Sequence, residues 1–338
     1  MIHESRKNML TIRRAAYEDI PNIMKFMDEH WKPGNILAKN RDFFEWQFLE
    51  DGKVNMFIGI DDETDKIYGM LGVILYSKSE NPDISGCTWR TIKSENPMLG
   101  MELQDIMWRE IHPRYAYSMG LTEVTVKINR LQGLKPVRSQ HYYRLADKTE
   151  YKIAKINDKI IPQVEDSGYR LKPIYHVEEM KQIISEKQLA AGVMSKDYYY
   201  IEKRYFNHPV YTYNFWKIID KFGVAKSILI TREENARERK MCKIIDFYGD
   251  YEDLGQIGRA LDEIMDEKQY EYIDVYSYGV PVEVYEKSGF VSCDEKSANI
   301  IPNYFHPFEQ KNVDLWMSDP LGIDVKMFRG DGDQDRPC

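Results

Sequence analysis

Three stretches of this chain hold side chains able to move a proton, hold an anion or face a planar ligand. His141 opens an aromatic run, and a histidine titrates near neutrality without help from its surroundings. Glu95, Asp83 and Tyr143 are the other candidates for carrying a proton. The segment Asn96-Pro97-Met98-Leu99-Gly100-Met101 runs into a helix-periodic stretch, and the unpaired amides of a helix start suit an anion such as a diphosphate. Arg90 and Lys93 upstream either add positive charge there or are solvated strand-face residues. The third stretch, Asn303-Tyr304-Phe305-His306-Pro307-Phe308, concentrates aromatics in a Pro-broken loop. It suits the face of a base or a sugar, with Asn303 and Asn312 as paired donors and acceptors, and equally suits a hydrophobic plug joining two lobes.

Other motifs are discounted. Seven histidines show no H-E-x-x-H spacing, so no catalytic metal is expected. Cys87, Cys242, Cys293 and Cys338 form no C-x-x-C pair, and Cys87, on a strand, reads as a small hydrophobe rather than a nucleophile. Asp331-Gly332-Asp333-Gln334-Asp335 alternates carboxylates but lacks the rest of a calcium loop. This polar tail is expected to be disordered or folded back onto ligand. No G-x-S-x-G elbow or Walker loop occurs.

The elements that must position these residues follow from periodicity. A strand at 9–14 precedes an amphipathic helix at 17–30 with Ile20, Ile23, Met24 and Met27 on one face. A short helix at 41–49, strands at 55–60, 67–76 and 86–93 and a helix at 100–111 follow. Next come strands at 123–128 and 141–146, with a short helix near Leu131 between them. Gly86 inside its strand suggests a bulge. The second half runs through the same events. Asp42-Phe43-Phe44 matches Asp197-Tyr198-Tyr199, Tyr68-Gly69 matches Phe222-Gly223, and Leu99-Gly100 matches Leu254-Gly255 at near-constant separation, which reads as a diverged tandem duplication.

The length of 338 residues suits two domains, placed at 1–150 and 151–338. With 43% hydrophobic and 30% charged residues the chain is globular, and a net charge of −8 excludes a nucleic-acid backbone tracker. The polar start, Met1 to Met9, has no apolar h-region, so a cytoplasmic protein without membrane insertion is expected.

The run Leu10-Thr-Ile-Arg-Arg-Ala15 with Glu18-Asp19-Ile20, followed by strand, loop and helix over 86–111, resembles the GNAT (acetyl-CoA-dependent N-acetyltransferase) fold. The resemblance recurs in the second half. The ordered set His30-Trp31, Trp46-Gln47, Ile128-Asn129, His141-Tyr142-Tyr143, Ile300 to Phe305 with Pro307-Phe308, and Asp333 to Pro337 resembles the double-GNAT proteins of bacterial surface-polysaccharide clusters, of the anthrose-pathway sugar N-acyltransferase type.

This resemblance implies an α/β (α+β) protein of two GNAT-like lobes, each a mixed, mostly antiparallel sheet flanked by helices. It implies transfer of an acetyl or larger acyl group from acyl-CoA to a nucleotide-linked amino deoxysugar, by direct attack. Such a transfer needs a diphosphate cradle, oxyanion donors, a proton path and an aligning pocket. Leu99, Gly100 and Met101 are then expected to hold coenzyme A, and Asn129 to orient its pantetheine or acyl group. His141 and Glu95 handle the proton, and Asn303, Tyr304 and Phe308 meet the acceptor. The first loop departs from the family pattern, being acidic at Glu95 and keeping one glycine. Its counterpart, Asp250-Tyr-Glu-Asp-Leu-Gly255, carries three carboxylates that oppose a diphosphate, so only the first half is expected to hold coenzyme A. The alternatives are a Fem-type aminoacyl transferase using aminoacyl-tRNA, against which the acidic balance counts, and a catalytically silent sugar-binding or scaffold protein. A homo-oligomer stays open.

Overall fold

The computed structural model describes residues 10–318, 325–332 and 335–337; the polar start Met1 to Met9, Asp333, Gln334 and Cys338, singled out above, lie outside them. The chain divides into two compact units, the first running to Ala116 and including Pro337, the second from Tyr117 to Arg336.

In the first unit β1 (Thr11–Arg14) leads into α1 (Ile20–Phe26), which a π-helical turn extends to Trp31. The helix α2 (Arg41–Phe48) starts where the Asn40 side chain accepts the Phe43 amide at 3.0 Å. Strands β2 (Met56–Asp61), β3 (Lys66–Leu75) and β4 (Ile84–Thr91) form an antiparallel meander, followed by α3 (Leu99–Ile111) and the short β5 (Ala116–Tyr117). The sheet order is β1-β2-β3-β4-β5. Alternation along β2 explains the layers. Met56, Ile58 and Ile60 pack with Ile23, Phe43 and Phe44 of the first two helices, whereas Phe57 packs with Leu103 and Met107 of α3. Two glycines let α3 settle on the sheet, since a Cβ at Gly69 would lie 2.9 Å from the Leu99 side chain and one at Gly59 would overlap it.

The second unit opens with α4 (Glu123–Leu131) and β6 (Gln140–Leu145), then β7 (Arg170–Ile174) and α5 (Tyr198–Ile201). A second antiparallel meander follows: β8 (Asn214–Ile219), β9 (Ala225–Ala236) and β10 (Arg239–Tyr248). The chain continues through α6 (Gly258–Lys268), β11 (Tyr270–Tyr278), α7 (Val282–Lys287) and β12 (Val291–Cys293) to β13 (Met327–Phe328). The order is β7-β8-β9-β10-β11-β6-β12, with β13 added to β11. Only β10 and β11 run parallel among these pairs, joined by the α6 crossover.

Three expectations change. The segment 123–128 is helical, not extended: the Thr122 side chain caps it by accepting the Thr125 amide at 3.2 Å, and Val126 and Asn129 are its buried face. The boundary drawn at 150 and the observed division differ because β6 pairs with β11 and β12 and so belongs to the second sheet. The repeat holds in element order, but two of its three landmarks do not. Tyr68-Gly69 lies inside β3 whereas Phe222-Gly223 turns between β8 and β9, and Leu254-Gly255 ends a short helix that precedes α6. The topological equivalents are Met56 with Asn214, 158 residues apart, and Leu99 with Gly258, 159 apart.

Candidate functional site

The strand β4 is irregular where it nears α3. Met70 faces Arg90 and Gly72 faces Cys87, so Thr88 and Trp89 together oppose Leu71 in a β-bulge. Gly86, where the bulge was expected, pairs regularly with Val73. Thr88 has φ +48°, a strained value for a β-branched residue, and its buried hydroxyl has no hydrogen-bond partner among the described residues. Gly72 makes the conformation possible, because a Cβ there would strike the Thr88 Oγ1 and lie 2.9 Å from the Phe48 ring. Beside β4 on its other edge, β5 reaches only its beginning, where the Ile84 amide donates to the Tyr115 carbonyl at 2.9 Å. The first unit therefore opens a fork beyond that point. A bulge turns main-chain N–H groups out of the ladder, and such donors suit an oxygen that gains negative charge.

The turn into α3 adjoins this fork. The Asn96 side chain accepts the Met98 amide at 2.9 Å and donates to Glu102 at 2.7 Å, while the Ser94 hydroxyl donates to the Asn96 carbonyl at 3.1 Å. Gly100 lies against Trp89, 3.3 Å from the position of a Cβ. The Leu99 side chain is core; only its backbone faces the helix start. Met101 is half-buried, and Glu95, Arg90 and Lys93 are exposed.

The second unit gathers a different constellation. His141 on β6 is 5% exposed and stacks on Tyr276 at 3.9 Å, with Nε2 3.1 Å from Asp274 Oδ2 on β11. Arg329 reaches the same carboxylate at 3.2 Å, donates to the Asn303 side chain and covers the other side of this cluster with its guanidinium 4.6 Å from the Tyr276 ring centre. Lys243 donates to the Asn303 carbonyl at 3.1 Å. Burial would raise the Asp274 pKa, but Lys243, Arg329 and His141 outweigh it and hold it at about 2. Burial pushes His141 down against the pull of Asp274, so it is not the unperturbed histidine expected, and it lowers Lys243 to about 8.

The remaining predicted residues separate. Asn129 is buried on α4 and its carbonyl accepts the Leu134 amide at 2.9 Å. Tyr304 is exposed, and Phe308 is half-buried edge-on to Phe305 with Arg237 5.1 Å from its ring centre. Glu95, Leu99, Gly100 and Met101 belong to the first unit; His141, Asn129, Asn303, Tyr304 and Phe308 belong to the second. Three candidates serve the scaffold. Asp83 is ion-paired with Arg114 at 2.8 Å, the Tyr143 hydroxyl accepts from Asn299 at 2.8 Å, and Asn312 is spent on the Ile301 amide and Asn299 carbonyl. The carboxylates of 250–255 also serve their turn, Asp250 accepting the Glu252 amide at 3.0 Å and Asp253 the Ser227 hydroxyl at 2.6 Å. Sequence reasoning placed the bulge two residues early, at Gly86, and missed Arg329. Gly69 and Gly72 inside one ten-residue strand were the available signal for the bulge.

Among the described residues no group of His, Cys, Asp or Glu could hold a metal ion, and no helix is long and apolar enough to cross a membrane. No family model matches the sequence, and no curated protein matches it. Solved structures do match. A conserved protein of unknown function from Enterococcus faecalis V583, described as a probable N-acyltransferase, superposes with a TM-score of 0.56 at 8% identity over 91% of this chain and 71% of its own. A GCN5-related N-acetyltransferase from Anabaena variabilis also gives 0.56, at 14% identity over 92% and 72%. At these identities the likeness is one of fold: the chain is built as two GNAT-like lobes of mixed sheet and helix.

Proposed function

We propose that this chain is an acyl-CoA-dependent N-acyltransferase whose donor site is the fork of the first unit. The observation that carries the reading is the strained bulge at Thr88–Trp89, with its orphan hydroxyl, next to the start of α3 in a unit of GNAT fold. The turned-out amides of the bulge and the Thr88 hydroxyl fit a thioester carbonyl, and the backbone of Leu99, Gly100 and Met101 fits a diphosphate. Exposed Arg90 and Lys93 add positive charge. The acceptor amine attacks the thioester carbon, the carbonyl oxygen takes up negative charge against the bulge, and the carbon–sulfur bond breaks to release the thiolate. The amine's surplus proton passes to a base, for which His141 and Glu95 are the candidates. Asn129 remains the candidate for orienting the acyl arm.

For the acceptor we propose a nucleotide-linked amino deoxysugar of surface-polysaccharide synthesis, handled in the cytoplasm. Support comes from the order of short motifs along the chain and from Asn303, Tyr304 and Phe308 in one loop. One observation favours a silent binding protein instead: Glu102 sits in the first turn of α3, where its charge opposes a diphosphate. Calorimetry with coenzyme A followed by a thiol-release assay over a panel of amino sugar nucleotides separates the two. Micromolar coenzyme A binding with acceptor-dependent thiol release is expected; sugar binding without any thiol release sinks the enzyme reading.

A further inference from the structure

The second unit forms the same fork as the first, and its own chain fills it. β10 and β11 pair from Lys240–Ile244 beside Tyr270–Val275 and are no longer partners beyond Ile244. Ile230 faces Asp246 and Thr231 faces Ile244, so Ile245 is the extra residue of a bulge equivalent to the one at Thr88–Trp89. Residues 327–332 run into this gap. Met327 and Phe328 pair with Tyr278 and Ser277, and the Gly330 amide donates to the Ile245 carbonyl at 2.8 Å. The fit leaves no room for a side chain, because a Cβ at Gly330 would strike the Tyr205 hydroxyl and lie 3.0 Å from that carbonyl oxygen.

The charges of residues 329–335 meet counter-charges from β11, from β9 and from the turn before α5. Arg329 meets Asp274 of β11 at 3.2 Å. Asp331 meets Lys196 at 2.6 Å, and Lys196 is also 2.8 Å from Asp246 of β10. Asp335 meets Arg232 of β9 at 2.6 Å and accepts the Tyr213 hydroxyl at 2.7 Å. All these side chains are buried. A buried charge that loses a partner is costly, so the sequence of the second unit is adapted to the presence of this segment.

We infer that the segment 327–332 stands in for a pantetheine arm in the second unit, closing a second acyl-donor cleft and leaving the first as the working one. The inference rests on the acyl-CoA reading proposed above for the family of forks. A polypeptide edge and the two amides of pantetheine offer the same donors and acceptors to a bulged strand, which explains how one can replace the other.

The test uses the whole chain. Hydrogen exchange should find the Phe328 and Gly330 amides as slow as those of β10 and β11, and saturating coenzyme A should leave them so while binding at one equivalent per chain. Two equivalents, or exchange at 328–330 accelerated by coenzyme A, overturns the inference. Gly330→Val should loosen the segment, with exchange over 326–332 at least ten-fold faster. It should also create one additional binding equivalent for pantetheine, a probe that lacks the diphosphate opposed by Asp250 and Asp253. If Gly330→Val does not fold, Asp335→Asn, which removes one charge and keeps the shape, is read the same way. Looser exchange with no new pantetheine equivalent counts against the inference. A full chain that binds no coenzyme A ends the reading of the first unit, and the pantetheine equivalent of the variant then decides this one alone.

Discussion

At the scale of single residues, Gly72 and Thr88 are the most exposed to test. Gly72→Ala should cost about 1–3 kcal/mol in urea melts, since the new methyl meets Thr88 and Phe48, and should lower coenzyme A affinity by at least ten-fold. Thr88→Gly relieves a positive φ and should melt no lower than the parent while losing turnover, an outcome that separates strain held for function from strain held for stability. His141→Asn should cut turnover far more than acceptor binding; unchanged turnover removes its proposed role.

Asp331 supplies a pH-dependent contrast. Burial, offset in part by Lys196 and reinforced by Asp246, raises its pKa to about 6. A carboxyl whose folded pKa lies above its unfolded value near 3.9 stabilises most fully below that value, and the contribution is lost as pH rises through 6. The stability of the parent relative to Asp331→Asn should therefore fall by about 2–3 kcal/mol between pH 4 and pH 6.5. A flat difference across that window would falsify the assignment.

At the scale of elements, most of the framework was legible because burial follows the period of the apolar residues. Ile20, Ile23 and Met27 are buried as their spacing requires, and the strand over Met56–Asp61 is buried on both faces between helices. The helix α4 was misread because Val124, Val126 and Ile128 alternate like a strand. In the fold Val124 is 65% exposed while Val126 is buried, so that alternation did not mark one buried face, and the cap at Thr122 was the better signal. The site was less legible for a related reason. A bulge has no composition of its own, and what betrays this one is a glycine on the opposite strand. The approach of His141 to Asp274 and of Asn303 to Arg329 depends on strands far apart in sequence, which no local pattern reports. For α3 the expected outcome is specific. Gly100→Asp, adding a carboxylate at the helix start, should weaken coenzyme A at least ten-fold by calorimetry with a near-parental melt.

At the scale of the whole molecule, the repeated order of strands and helices argues that the halves descend from one module, although the landmarks that first suggested it were partly coincidental. On the reading proposed above the copies have since parted company in the fork, where residues 327–332 pair into the second unit's sheet. In the polar end of the chain, expected to be disordered or folded back onto ligand, Arg329, Asp331 and Asp335 are buried in the second unit.

The strand β6 carries a last implication, for anyone dissecting the gene. It is translated before β7, yet its hydrogen-bonding partners, β11 and β12, emerge more than a hundred residues later. A ribosome must therefore hold Gln140–Leu145 unsatisfied until the far strands arrive, and a plasmid encoding 151–338 would express a sheet lacking the strand between β11 and β12. Such a fragment should partition into inclusion bodies, whereas one encoding 117–338 should stay in the supernatant.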